Sequence, residues 1–231
     1  MLRRTSLLPP SGKTARGRSA SLADSAPIEL PAPKLSVGKS VPESLRRRQT
    51  IREIGGKKLP PQMLSNLLWA AYGVNRRKGP FGAQGVTAAS ASNSQEIDVF
   101  VALEDGFYLF DARQHRLLPV VASDLRTMAI GPGQKNVVMQ APVQLIYVAD
   151  INRLAHTSGF QEPGLHDPEV QKSYYFVDTG LIAGNVYLFA ASQGLATWFH
   201  NCDRNGLSRK LKLRPDQRVL FAQTVGYPER R

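Results

Sequence analysis

Cysteine occurs once in this 231-residue chain, as Cys202. A lone thiol excludes an internal disulfide and any multi-thiolate metal site. It suits a reducing, cytoplasmic setting, and the residue itself reads as a small packed side chain rather than a nucleophile. Histidine is scarce as well: His115, His156, His166 and His200 stand at no ligand spacing from one another or from Cys202. Long apolar runs are missing, each being broken by Gly, Asn or Gln, so no membrane span is expected. No Gly-x-Ser-x-Gly elbow, phosphate-binding Gly-Lys-Ser/Thr loop or His-Glu-x-x-His helix is found. The stretch Gly79-Pro80-Phe81-Gly82 lacks the spacing of a dinucleotide loop. Adjacent acids such as Glu104 and Asp105 fall in a turn. Side-chain hydrolysis therefore has little support, which leaves a binding module or an enzyme whose chemistry belongs to a cofactor.

Acidic residues are also few, and the formal charge is +12. Residues 1–52 hold eleven Lys/Arg against three Asp/Glu, a net of +8, so the excess is concentrated in the first quarter of the chain. A nucleic-acid-binding domain would spread its basic residues over a folded face. No specific nucleic acid is expected here, only nonspecific attraction by the basic end. Residues 1–27 are rich in Ser, Ala, Arg and Gly and cannot repay their ordering entropy by burial, which predicts a disordered basic tail. Residues 28–231 form the second unit, a single domain. Their 42% hydrophobic content, counted over the whole chain, can fill a real core.

Within that domain, Ile28 to Pro33 should run extended, because the residue before each Pro is pushed out of the helical region. Pro42-Glu43-Ser44-Leu45 can open a short helix. After Pro60-Pro61, the positions Leu64, Leu67, Leu68, Ala71 and Tyr72 share one helical face, closed by Gly73. Trp69 lies beside that face as a packing residue, and residues 75–85 read as a loop. Ile97 to Leu103 and Phe107 to Phe110 read as a hairpin turning at Asp105-Gly106. Ser123 to Ile130 and Gln134 to Met139 are short helix candidates, and Val143 to Ala149 is an apolar strand. Asp167-Pro168-Glu169 starts a helix that runs to Gln193 and stops at Gly194. Inside it Gly180 and Gly184 lie four apart, a costly choice that suggests close approach by a partner helix or a second subunit. Thr197 to His200 is a strand, Leu207 to Leu213 a short helix and Val219 to Val225 a last strand. Hairpins and long connections mixed with helices give an α+β fold.

The most concentrated chemistry is the run Arg46-Arg47-Arg48-Gln49-Thr50-Ile51-Arg52. Guanidinium groups clamp phosphate bidentately, and a Thr hydroxyl adds a donor. A bare Arg triplet is most simply a solvated run; what lifts this one above that is the rest of the chain.

Four segments in order resemble the FMN-dependent nitroreductase family, most closely its SagB-type dehydrogenase-like branch. Arg48-Gln49-Thr50-Ile51-Arg52 is similar to the family's opening Arg-Arg-Ser-x-Arg. Leu64 to Gly73, with Val74-Asn75-Arg76, resembles its first core helix. Ser90 to Ile97 resembles the Pro-Ser-Ala/Gly-x-Asn-x-Gln segment that leads into a strand. Asp178-Thr179-Gly180, Asn185, Gly194 to Thr197 and Gly226-Tyr227-Pro228 follow the family's C-terminal half. Ala89 departs from the usual Pro, and Gln49 from Arg or His.

The resemblance implies a mostly antiparallel sheet flanked by helices in an intertwined homodimer, with FMN at the interface. It implies NADH or NADPH as electron donor and a small nitroaromatic or quinone-like acceptor, used in turn in a ping-pong cycle. No catalytic side chain is implied, since flavin N5 carries the chemistry. Arg48 and Arg52 would supply charge, Thr50 a hydroxyl, and Gln49 a contact along the ribityl chain. Ser90, Ala91, Ser92 and Asn93 would pass under the flavin from the other subunit. Asn93 and Gln95 could bond the pyrimidine edge or ribityl hydroxyls. Arg230, just past Gly226-Tyr227-Pro228, stands where family members often place another phosphate ligand. The Lys-Tyr pair associated with azoline oxidation is not recognisable. A SagB-like oxidase of peptide azolines and a non-catalytic flavin-binding protein are the alternatives.

Overall fold

The computed structural model describes residues 26–131, 141–159 and 166–229. In chain order the strands are β1 (Ile28–Glu29), β2 (Val74–Arg76), β3 (Gly85–Val86), β4 (Ile97–Leu103), β5 (Gly106–Asp111), β6 (Arg116–Val121), β7 (Val143–Asp150), β8 (Ala196–His200) and β9 (Gln217–Gly226). The helices are α1 (Val41–Arg47), α2 (Pro61–Tyr72), α3 (Ile151–Ala155), α4 (Pro168–Gln193) and α5 (Arg204–Lys210). Seven strands form one sheet in the order β1-β6-β5-β4-β7-β9-β8, and every pairing among them is antiparallel. β2 and β3 form a separate ribbon.

β7 sits at the centre of the sheet and is buried along its whole length, so both of its faces are apolar, as its sequence requires. On one face Leu145 and Tyr147 join Ile97, Val99 and Val101 of β4 under α2 and α4, through Leu67, Leu68, Ile182 and Val186. On the other, Ile146 and Val148 join Phe100, Phe107 and Val219 beneath Leu207 of α5 and the turn carrying Leu125 and Ala129. The result is an α+β sheet covered by helices on both faces.

α4 has the limits its sequence predicts. The Asp167 carboxylate accepts the Glu169 N–H at 2.8 Å, Pro168 occupies the first turn, and Gly194 ends the helix at φ 69°. Buried Leu64, Leu67, Leu68, Ala71 and Tyr72 likewise fill the predicted face of α2.

Several expectations need correction. The β4–β5 connection is the pair Glu104-Asp105, and Gly106 is already the first residue of β5, opposite Leu103. β6 was not foreseen, because Pro119 cannot donate to a ladder. It is accommodated by a register shift where Tyr108 faces Pro119 and Phe107 faces Val121, and β1 pairs only with Leu117 and Arg116 further back. Residues 75–85 are not a plain loop: the β2–β3 ribbon brackets a 3-10 turn, Pro80–Gly82. Ser123 to Ile130 contains only a 3-10 turn, Arg126–Ala129. α5 begins three residues before Leu207, because Asp203 caps the Gly206 N–H at 2.9 Å. Gln134 to Met139, Arg230 and all but the end of the 1–27 tail lie outside the described residues.

Gly180 and Gly184 are not crowded within the chain. A side chain built at either position would meet none of the described residues within 4 Å. The helix face they occupy also carries Phe176, Val177 and Leu181, exposed by 37, 60 and 44%.

Candidate functional site

The Arg-rich run divides by partner. α1 opens at Ser40, whose hydroxyl accepts the Glu43 N–H, and closes at Arg47. One helical turn therefore brings Glu43 against both Arg46 and Arg47, which donate to its carboxylate. Their hydrogen bonds hold that carboxyl down at about 2. Arg48 is the C-cap, and beyond it the chain is extended and exposed. Among the described residues Arg48 and Arg52 have no carboxylate partner. Each guanidinium instead lies over a ring, Arg48 over Tyr187 at 5.4 Å and Arg52 over Trp198 at 5.3 Å. Stacking fixes the plane of a guanidinium while leaving its N–H edge open to an anion.

The backbone of this segment is fastened to the sheet edge. Ile51 N–H donates to Thr197 O of β8 at 3.1 Å, Ile54 bridges Pro228, and Gly55 N–H donates to Tyr227 O at 2.9 Å. Glu229 N–H donates to Glu53 O at 2.9 Å, a contact beside Arg52. Tyr187 organises the centre of the segment. Its hydroxyl accepts the Phe199 N–H at 3.0 Å and lies 3.1 Å from Thr50 Oγ1. With one lone pair so engaged, the tyrosine proton is free to go to Thr50, leaving the threonine proton to donate outward. Gln49 is exposed, and next to it a groove of about 340 Å³ is lined by Arg48, Ile51, Ala191 and Leu195, among others. Removing the bridging hydroxyl in Tyr187→Phe takes away both bonds and is expected to cost about 2 kcal/mol in a denaturant melt.

The second predicted segment, Ser90 to Gln95, is an irregular loop between β3 and β4. Ser92, Asn93 and Gln95 all have positive φ, at 48, 54 and 51°. Side chains with a Cβ rarely adopt this region, so the surroundings must impose it. Ala91 N–H donates to Asp178 Oδ2 at 3.0 Å, and Gln95 N–H to Ser90 Oγ at 3.0 Å. The amide groups of Asn93 and Gln95 donate to Gln84 O at 3.4 and 2.5 Å, and Gln95 also donates to Asn93 Oδ1 at 2.9 Å. These side-chain donors are thus committed to the protein, and the loop meets its surroundings largely through small groups and backbone.

Arg153 of α3 ties down the loop's end. It donates to Gln95 O at 2.7 Å and to Asp98 Oδ1 at 2.9 Å, while Asp150 receives both Arg153 and Arg214. Burial raises the Asp98 carboxyl above its usual range even with this cation present. Arg153→Met is expected to lower stability by about 2 kcal/mol. That is less than the loss of a fully buried pair, because the Arg153 side chain is 40% exposed. The shift of the urea midpoint measures it.

The structure does not bring the two segments together within one chain. The Arg48–Arg52 run meets α4 at Tyr187, and the loop meets it at Asp178, nine residues earlier and roughly 13 Å away along the helix. Tyr187, Trp198 and Asp178 were not foreseen as site residues. Asp178 did leave a signal, since helical spacing puts this acid on the buried face with Ile182 and Val186. Cys202 is a packed residue as expected; burial pushes its thiol up to about 11, which suits no nucleophile at neutral pH.

Comparison with known proteins decides the family. The nitroreductase family model matches residues 45–227. The chain belongs to the nitroreductase family. A protein of Methanocaldococcus jannaschii assigned to the nitroreductases is 29% identical over 158 residues, covering 66% of this chain and 74% of that one. A crystal structure of a Ralstonia eutropha protein described as a nitroreductase shares 32% identity with a TM-score of 0.77, covering 98% of this chain and 97% of the other. A chain of the Escherichia coli microcin synthetase complex has the same fold at 15% identity and a TM-score of 0.62, over 87% of this chain and 77% of that one. Membership makes this nitroreductase-family protein an oxidoreductase, in a family whose members are typically flavin-dependent. No helix among its described residues is long and apolar enough to cross a membrane.

Proposed function

We propose that this protein is an FMN-dependent oxidoreductase that uses NADH or NADPH to reduce a small nitroaromatic or quinone-like acceptor, as a homodimer with FMN at the interface. The observation that carries this reading is the pair of stacked guanidinium groups, Arg48 and Arg52, exposed on either side of the Thr50 hydroxyl and without a carboxylate partner among the described residues. An anion with adjoining hydroxyls is the ligand such donors fit, and a ribityl phosphate has both. Arg48, Gln49, Thr50 and Arg52 would hold it, with Arg230 as a further cation. Bound FMN would supply the hydride chemistry, so the side chains need only bind, orient and exclude water.

The second subunit is part of the proposal because α4 leaves Gly180 and Gly184 uncovered beside exposed Val177 and Leu181, a face suited to a second copy. Two copies packed through Gly180 and Gly184 would bring one chain's loop towards the other's Arg run. Ser90, Ala91, Ser92 and Asn93 offer the small, irregular backbone that lets main-chain groups approach a flat ring, while the committed amides of Asn93 and Gln95 hold that backbone in place.

The test is the visible absorption spectrum of the purified protein, followed by NADH or NADPH without oxygen. A flavin spectrum that bleaches supports the proposal. A flavin spectrum that stays oxidised would point to a binding role or to another electron donor. A protein that takes up no FMN, even on incubation, would remove the reading altogether.

A further inference from the structure

Beneath the Ser90–Gln95 loop lies an acidic pair for which the proposed chemistry has no use. Glu96, the first residue after the loop, is wholly buried. Its Oε2 accepts the Ser94 hydroxyl at 2.6 Å, while its Oε1 receives no N–H or O–H donor among the described residues. Glu96 faces Asp178 of α4, near enough for the two carboxyls to interact, and Asp178 accepts the Ala91 N–H at 3.0 Å. Two ionised carboxylates this close would repel strongly away from water, so they can meet only by sharing a proton. Asp178 has a backbone N–H to stabilise its negative charge. Glu96 is the more deeply enclosed and has a single hydroxyl, so the proton resides there. The partnerless oxygen is thereby accounted for as a donor.

We propose that Glu96 is a positioning residue: it donates a shared proton to Asp178, and this bond latches the Ser90–Gln95 loop onto α4. The loop needs such a restraint because Ser92, Asn93 and Gln95 are all held at positive φ. The chain of contacts runs from α4 through Asp178 to Ala91 at one end of the loop, and through Glu96 to Ser94 near the other. That the loop touches a ligand rests on the function proposed above; the latch itself does not.

The groups facing the pair leave the proton in place. Tyr72 of α2 is buried, and burial, with Glu96 adding to it, keeps its hydroxyl neutral. Asp98 of β4 and Arg153 of α3 are paired with each other, and no cation among the described residues forms an ion pair with Glu96. Burial first, and the Asp178 charge second, push Glu96 up to about 7. Because this lies above the ordinary carboxylate value, the latch is intact below it and is lost as pH rises through it. One proton on one group gives a roughly tenfold fall in the latched fraction between about pH 6 and pH 8.

Infrared spectroscopy of the full chain in heavy water, with hydrogen exchange of residues 90–96 as a function of pH, tests the proposal. Below neutral pH the spectrum should carry a protonated-carboxyl band that titrates near neutrality and is absent from Glu96→Gln. Loop protection, corrected for intrinsic exchange, should fall with that band in the native protein. In Glu96→Gln it should stay level, because the amide donates at every pH. No such band in the native protein, or loop protection independent of pH, would overturn the latch; these two readouts do not depend on the variant folding. FMN affinity measured on the same samples should follow the band. If no FMN binds at any pH, the functional proposal fails while infrared and exchange still decide the latch.

Discussion

Replacing Arg48 and Arg52 together with Ala is expected to leave a folded protein that no longer retains FMN through purification. Both residues are exposed at the edge of the sheet, and each guanidinium stacks on a ring without filling the core, so stability should change little. Neither has a carboxylate partner among the described residues, and each could give a charge-assisted hydrogen bond of about 1.5–3 kcal/mol, so each single loss should weaken affinity by roughly 10- to 150-fold. Arg48→Lys should recover only part of this, because an ammonium keeps the charge but loses the planar fork and the stacking on Tyr187. Arg46→Ala and Arg47→Ala serve as controls. Both side chains are already tied to Glu43 in an exposed pair, and affinity should move by no more than about threefold. Titration of flavin fluorescence measures all six variants. Equal losses at Arg46 and Arg48 would show a diffuse basic patch instead of a shaped grip.

Leu181→Glu is expected to convert the proposed dimer to a monomer and to remove FMN with it. α4 displays exposed Val177 and Leu181, with the outer edge of Phe176, beside two glycines that no described residue covers. The apolar surface continues onto α1, where Val41 and Leu45 are 66 and 59% exposed and the preceding Lys39 N–H donates to Ser192 O near the end of α4. A carboxylate at the centre of such a contact would be buried without a cation, at a cost of several kcal/mol. That suffices to shift a micromolar dimer to monomer at ordinary concentrations. Gly184→Leu should act by bulk and give the same result. Light scattering on the native protein and on both variants, with the flavin spectrum read on the same fractions, checks the effect. A Leu181→Glu protein that remains dimeric and yellow would place the interface elsewhere.

The elements with strong local signals were legible from residues alone. Asp167, Pro168 and Gly194 fix both ends of α4, and the Leu64-to-Tyr72 spacing fixes the buried face of α2, because capping and amphipathic periodicity are local physics. β6 was not legible, since Pro119 speaks against a strand until a register shift and a missing neighbour make room for it. The Arg48–Arg52 run and the Ser90–Gln95 loop could likewise be singled out by residue type.

What residue type could not decide was partnership. Four arginines within seven positions are equivalent in sequence, and only one turn of α1 commits Arg46 and Arg47 to Glu43 while leaving Arg48 and Arg52 to aromatic rings. Asn93 and Gln95 have donors suited to a ligand, but tertiary contact with Gln84 engages them. Glu96 looks like an ordinary acid at the start of a strand. Only the packing of α4 against β4 buries it opposite Asp178, eighty-two residues away, and makes one proton between them a structural requirement. Local sequence thus determined where the elements begin and which residues carry charge. Burial and long-range neighbours determined which of those charges are free, because desolvation and pairing are properties of the folded surroundings.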